Sequence, residues 1–287
     1  MEGAVITDTE VATARNATLP KGLALNARID AYWVQPLVTF LVLSGFVAYA
    51  TWRVLENQFF IADNGAYHYA TPFGNPNLAE FAVVGPPIQF LAEAIPVVGG
   101  FLLYPGVLIL PFVAGFRFTC YYYRKAYYRS FAMSPPACAV PGTRGKGWKG
   151  ERGLMVFQNL HRYFFYAALV VLLFNFIDMV KSISTPNGLY FGVGSALMIL
   201  NVAFLSFYTL GCHSLRHLVG GKLDCFSCST PARIRYGLWS RVTMLNKRHQ
   251  LWAWVSLVWV AGTDFYIRWV ASADILGFNL FGLGVPA

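Results

Sequence analysis

Five apolar runs punctuate the 287-residue chain, at residues 31–52, 96–123, 154–180, 189–212 and 250–270. Each has about 20 residues or more, which is what a helix rising ~1.5 Å per residue needs to cross the hydrocarbon core of a bilayer. The pattern predicts an all-α, polytopic membrane protein with five transmembrane helices in a bundle, spanning 31–272. Residues 1–30 are polar and mixed in charge, with neither the apolar core nor the small-residue cleavage site of a signal peptide. An odd number of spans places the N-terminal segment and the tail at 273–287 on opposite sides.

Basic residues give the direction. Of the 22 Lys and Arg residues, all but Arg53, Lys181 and Arg268 fall on one side of this arrangement. By the positive-inside bias that side is the cytoplasm, so the N-terminus is expected inside and the C-terminus exported. Composition agrees, with 56% hydrophobic and only 12% charged residues against about 25% charged in soluble domains. This excludes disorder and argues against an ordinary soluble fold. The net charge of +9 reads as cytoplasmic loop charge rather than as a nucleic-acid surface.

The loops differ in content. The exported loop at 53–95 is rich in Asn, Pro and Gly, and its segment 86–93 is suited to lying flat at the interface; no chemistry is assigned to it. Residues 120–129 pass from Tyr-rich to basic, as expected of an interface anchor for anionic headgroups, with docking of a soluble partner as the alternative. The loop at 134–150 is irregular, and Gly145-Lys146-Gly147 lacks the glycine spacing of a phosphate loop. No internal repeat supports an inverted-repeat transporter.

Chemistry-bearing residues crowd the segment Gly211-Cys-His-Ser-Leu-Arg-His-Leu-Val-Gly-Gly-Lys-Leu-Asp-Cys-Phe-Ser-Cys228, within a metal-binding loop expected at 211–230. His213 and His217 stand at i and i+4, one face of a helix continuing beyond the membrane. Gly220-Gly221 supplies a stop. Cys225 and Cys228 form a C-x-x-C pair able to converge on one centre. Three readings fit this spacing: a Cys2His2 zinc site, a Rieske-type [2Fe-2S] cluster with two imidazole and two thiolate ligands, or reduced, unligated thiols. Cys212 is a spare ligand. His161, together with His213, His217 or His249, also offers axial ligands for one haem b on the cytoplasmic side, but no second pair serves the other face.

That segment, with the five spans and the basic face, resembles the membrane-anchor, cytochrome b-like subunit of actinobacterial succinate dehydrogenases. The resemblance covers most of the chain and implies a subunit that docks a FAD-containing flavoprotein and an iron-sulfur subunit carrying further clusters. It also implies that electrons from succinate pass to menaquinone in the plasma membrane, in a complex able to form a higher oligomer. Under the resemblance the iron-sulfur option rises above zinc, with His213, His217, Cys225 and Cys228 as ligands and Cys212 as substitute. The chain has neither a flavin fingerprint nor a ferredoxin-like cysteine run, so it is not catalytic alone.

A quinone pocket is expected around His249 and Trp252, with Arg248, His161 and Gln158 as neighbours. Quinone reduction consumes two protons, and His and Trp offer donors beside a flat apolar wall. Two alternatives remain: a haem b anchor with structural zinc, and a non-redox transporter component built around Asp264 and Arg268, one turn apart in the fifth span.

Overall fold

The structure is a computed structural model that describes residues 30–56, 58–63, 65, 67–74, 105–138, 140, 142, 154–185, 188–221 and 223–273. The N-terminal segment, the 86–93 stretch, the start of the second run, the Gly145-Lys146-Gly147 tract and the tail from residue 274 lie outside the described residues.

Helices dominate. In chain order they are α1 (Val34–Glu56), α2 (Pro105–Phe118), α3 (Tyr121–Ser130), α4 (Leu154–Asn159), α5 (His161–Lys181), α6 (Val193–Leu210), α7 (His213–Gly220), α8 (Thr230–Lys247) and α9 (His249–Ala273). Two small antiparallel hairpins, outside the all-helical expectation, join them: β1 (Ile61–Asp63) with β2 (His68–Ala70), and β3 (Ser184–Thr185) with β4 (Gly188–Leu189). In the first, Asp63 faces His68 across the register, and His68 Nδ1 lies 2.8 Å from the carboxylate. This hydrogen bond, joined by the Gly65 N–H, holds the Asp63 pKa below its usual value.

Among the described residues three helices, α1, α5 and α6, are long and apolar enough to cross a membrane. Helix α9 has 25 residues, a length of about 37 Å at the α-helical rise, but Asp264, Arg268 and its other polar side chains lower its hydropathy. The described part of the second run, α2, has 14 residues. The third run, expected as one helix from 154 to 180, breaks at Leu160 into α4 and α5. A second break falls at Gly211-Cys212, so α7 is a new helix and not a continuation of α6. As the glycine pair predicted, α7 stops at Gly220.

Contacts divide the chain into two units. The smaller comprises residues 1–42 and 125–149, and within it Phe40 packs on Phe131 at 4.8 Å between ring centroids. The larger comprises residues 43–124 and 150–287. In that unit α9 packs chiefly on α6, α5 lies between α2 and α6, and α7 packs on α8. Its core near the β1–β2 hairpin holds Tyr67, Tyr69, Tyr190, Met198, Ile267 and Val270. Large apolar side chains such as Val170, Leu173, Phe176, Val258, Phe265 and Trp269 point outward, the inverse of a soluble protein and the arrangement that hydrocarbon solvates.

The charged pair in α9 is wholly internal. Arg268 and Asp264 are 1% and 0% exposed, and the guanidinium Nε donates to both carboxylate oxygens at 3.0 Å. Arg268 also donates to the carbonyls of Gln58 and Arg53, at 2.6 and 3.2 Å, and lies 3.5 Å from Glu56. Tyr49 donates to Asp264 at 2.7 Å. With every strong donor and acceptor engaged, the pair locks the end of α1 onto α9. Breaking such a buried pair leaves an uncompensated charge and costs about 3–5 kcal/mol. Arg268→Ala is expected to lower the melting temperature of the detergent-purified protein sharply, whereas Lys181→Ala, removing a half-exposed partner 3.7 Å from Asp178, leaves it within a degree or so.

Candidate functional site at the convergence of four helix ends

Four helix ends meet at the basic end of the larger unit: the end of α2, the start of α5, the α6–α7 junction and the start of α9. Each break in the helical runs has a local cause. At the α6–α7 junction a Cβ on Gly211 would stand 2.7 Å from the Phe207 carbonyl and 3.3 Å from the Leu245 backbone, so only glycine lets α6 end against α8. Asn246 of α8 seals this approach by donating to the Gly211 carbonyl at 2.8 Å. Cys212 then caps α7, its sulfur accepting from the Ser214 N–H at 3.3 Å.

The convergence encloses an open cavity of about 460 Å³ lined by Cys120, His161, Cys212, His213, His217 and His249, with Thr119, Gln158 and Arg162 among the other walls. It thus gathers four of the five histidines of the chain. Cys120, Cys212 and His249 are 1–2% exposed and His161 is 9% exposed. The four form two thiol–imidazole pairs, with His161 Nε2 3.0 Å from Cys212 Sγ and His249 Nε2 3.8 Å from Cys120 Sγ.

Hydrogen bonding fixes the His161 tautomer. The Thr119 hydroxyl donates its one proton to the Gly115 carbonyl at 2.7 Å, so its oxygen accepts from His161 Nδ1–H at 2.9 Å. The Nε2 lone pair is therefore left facing Cys212, the orientation that an outer-shell partner imposes on a metal-ligating histidine. Phe116 stacks on the same ring at 4.7 Å. His249 stacks on Tyr208 at 4.9 Å, and its Nδ1 is buried without a hydrogen-bond partner.

The ligands expected from spacing are divided by the structure. His213 and His217 reach the cavity wall. Cys225 and Cys228 do not; their sulfurs are bonded to each other, in a loop where Phe226 packs on Tyr236 at 5.0 Å. His213 stacks on Tyr122, and its partial burial, reinforced by the charge of Arg216, lowers its pKa and keeps it neutral at pH 7. Among the described residues no three His, Cys, Asp or Glu side chains close on one point as ligands of a single ion. The buried quartet comprises two thiols and two imidazoles, the ligand types of a Rieske-type [2Fe-2S] cluster, here in two mixed thiol–imidazole pairs. A tetrahedral zinc needs all four donors about one point, which this arrangement does not offer.

Of the residues expected around a quinone, His249, His161 and Gln158 share the cavity. Trp252 lies one turn along α9 from His249, against Phe207 at 4.8 Å, with its indole N–H buried and unpartnered. Arg248 caps α8 and is exposed. Thr119 and Cys120 were missed as site residues. The available signal was positional, because Cys120 occupies the basic end of its span just as His161, Cys212 and His249 do.

The model of the family described as actinobacterial succinate dehydrogenase subunit SdhC matches residues 34–273. The chain belongs to that family. It is a membrane subunit of succinate dehydrogenase, working beside the flavoprotein and iron-sulfur subunits of that enzyme in the plasma membrane. It is similar to a chain of the Mycobacterium smegmatis Sdh1 complex in the apo form, with 38% identity over 89% of this chain and 94% of that one, at a TM-score of 0.74. No curated protein matches it significantly. The family identity agrees with the fold and with the resemblance carried by the Gly211–Cys228 segment.

The tight approach at the junction yields a direct test. Gly211→Ala in this SdhC-family subunit is expected to cost on the order of 1–3 kcal/mol through overpacking, read as a lowered unfolding midpoint. Gly262→Ala, where an added Cβ meets nothing within 4 Å, is expected to leave the midpoint unchanged or slightly raised.

Proposed function

We propose that this subunit accepts electrons released by succinate oxidation and delivers them to menaquinone, through a [2Fe-2S] cluster held at the cytoplasmic end of the bundle by Cys120, Cys212, His161 and His249. The observation that carries the reading is the burial of two thiols and two imidazoles around one cavity. When bound, such a cluster supplies one-electron transfer at a potential raised by its nitrogen ligands into the quinone range. The chain's own contribution is orientation: Thr119 holds His161 Nδ1, and the Ser214 N–H steadies the Cys212 sulfur. The proposal relocates the expected cluster from the Cys225–Cys228 loop to the helix ends. It retains the N-inside orientation expected from the partition of basic residues.

The quinone site follows from the two orphan polar atoms of α9. His249 Nδ1 and Trp252 Nε1 are buried one turn apart with no protein partner, and unsatisfied buried donors call for a ligand or water. A quinone carbonyl is an acceptor of the required kind, and Phe204 and Phe207 give the Trp252 ring aromatic neighbours. His161 and Gln158 line the same cavity as His249. His249, buried at the cavity wall, is placed to orient a quinone through its Nδ1.

In the intact complex, Cys120→Ser and Cys212→Ser are expected to abolish a membrane-subunit [2Fe-2S] signal in electron paramagnetic resonance after succinate reduction, while Cys225→Ser retains it. Loss in Cys225→Ser alone would return the cluster to the loop. His249→Ala is expected to abolish both the signal and quinone reduction. Trp252→Phe lowers quinone-analogue reduction about 10-fold or more, the scale of one buried hydrogen bond, yet leaves succinate oxidation by a soluble acceptor intact.

A further inference from the structure

Cys225 and Cys228 have no part in the scheme above, yet their sulfurs are joined at the surface of the larger unit. Cys228 is exposed and Cys225 half-buried, so a soluble thiol can reach the bond. Under the N-inside orientation proposed above the loop faces the cytoplasm, where disulfides are rare and those present are mostly transient ones that catalyse or sense. Exposed disulfides are also the labile class, open to attack by a thiolate. The two cysteines bracket Phe226, whose ring packs on Tyr236 at 5.0 Å and on Trp239 at 6.5 Å, and those two rings of α8 stack on each other at 5.9 Å. Trp239 in turn faces α7. The Arg216 guanidinium lies 4.8 Å from its ring, and Gly220 approaches so closely that a Cβ there would collide with the indole. Beside these contacts Arg235 of α8 donates to the Val219 and Gly221 carbonyls at 2.9 and 2.7 Å. Helix α7 carries His213 and His217 of the cavity wall, so an unbroken line of contacts runs from the sulfur pair to the cavity.

We infer that Cys225 and Cys228 form a site of thiol–disulfide exchange whose substrate is a soluble dithiol, and that its state is felt at the cavity through Phe226 and Trp239. One thiolate of the dithiol attacks a sulfur of the pair, breaking the Cys225–Cys228 bond and forming a mixed disulfide. The second thiolate then closes the dithiol's own disulfide and expels the loop cysteine. Two electrons and two protons thus pass from the dithiol to Cys225 and Cys228. Closed, the bond holds Phe226 against the aromatic pair behind α7; open, it frees the loop and releases that brace. The exchange itself depends on neither the cluster nor the quinone, whereas its effect on quinone rests on the site proposed above.

The test equilibrates the native, intact complex over a series of reduced-to-oxidised dithiothreitol ratios, blocks free thiols with a maleimide and locates the label by mass spectrometry. Cys225 and Cys228 are expected to become labelled together, in one two-electron step. After removal of dithiothreitol, opening the bond is expected to raise the KM for a quinone analogue about threefold or more, the mark of lost binding, with succinate oxidation by a soluble acceptor unchanged. Phe226→Ala, which keeps both cysteines, is expected to show the raised KM from the start and no further change on reduction. A pair that forms no bond at any ratio, or a bond that opens only after denaturation, would overturn the exchange site. Exchange without a change of KM in the wild type would overturn the link to the cavity. Failure of the quinone site itself would show differently, as full quinone-analogue reduction in Trp252→Phe with the labelling step intact.

Discussion

Every polar group placed at membrane depth must find its partner within the protein, since hydrocarbon offers none. This constraint organises both ends of the larger unit. At one end Arg268 spends its donors on Asp264 and on two carbonyls near the end of α1, and the result is a closed, fully paired structural clamp. At the other end the accounts stay open: His249 Nδ1, Trp252 Nε1 and the Tyr208 hydroxyl are buried without partners, beside two thiols and a second imidazole. The first kind of cluster stabilises, whereas unpartnered atoms that border a cavity are where a bound group can be completed. The contrast separates the transporter-like pair, which the structure shows as an architectural lock, from the site where redox chemistry is proposed.

The helix breaks are what bring the open site together. Had the third run been one continuous helix, His161 would sit mid-helix; the turn at Leu160 places it at the start of α5. The break at Gly211-Cys212 likewise turns a cysteine in an apolar run into the cap of a new helix facing His161. Four helix ends thus present donors at one level, as helix bundles do when they build cofactor sites from facing helices.

Much of this was legible in the sequence. Hydropathy located the long helices, because burial in lipid demands unbroken apolar stretches, and the segment from Gly211 to Cys228 pointed to the family. The hairpins were not legible, being two or three residues a strand and held by contacts such as Asp63 with His68. The proposed site was legible by residue type but not by partner. Local spacing joined His213 and His217 to Cys225 and Cys228, because i, i+4 and C-x-x-C rules register only neighbours in sequence. The pairs that the fold creates, Cys120 with His249 and Cys212 with His161, are separated by 129 and 51 residues, and only packing reveals them. Cys120 in particular was masked by the Tyr-rich belt that follows it.

The central claim is that the electron-carrying group sits among the helix ends and not in the Cys225–Cys228 loop. A cryo-electron microscopy map of the intact complex, isolated without exposure to oxygen or chelators, tests it most directly. The account predicts strong density bridging Cys120, Cys212, His161 and His249, with Cys225 and Cys228 bonded only to each other. Density bound by Cys225 and Cys228 with His213 and His217, and none among the helix ends, would contradict it.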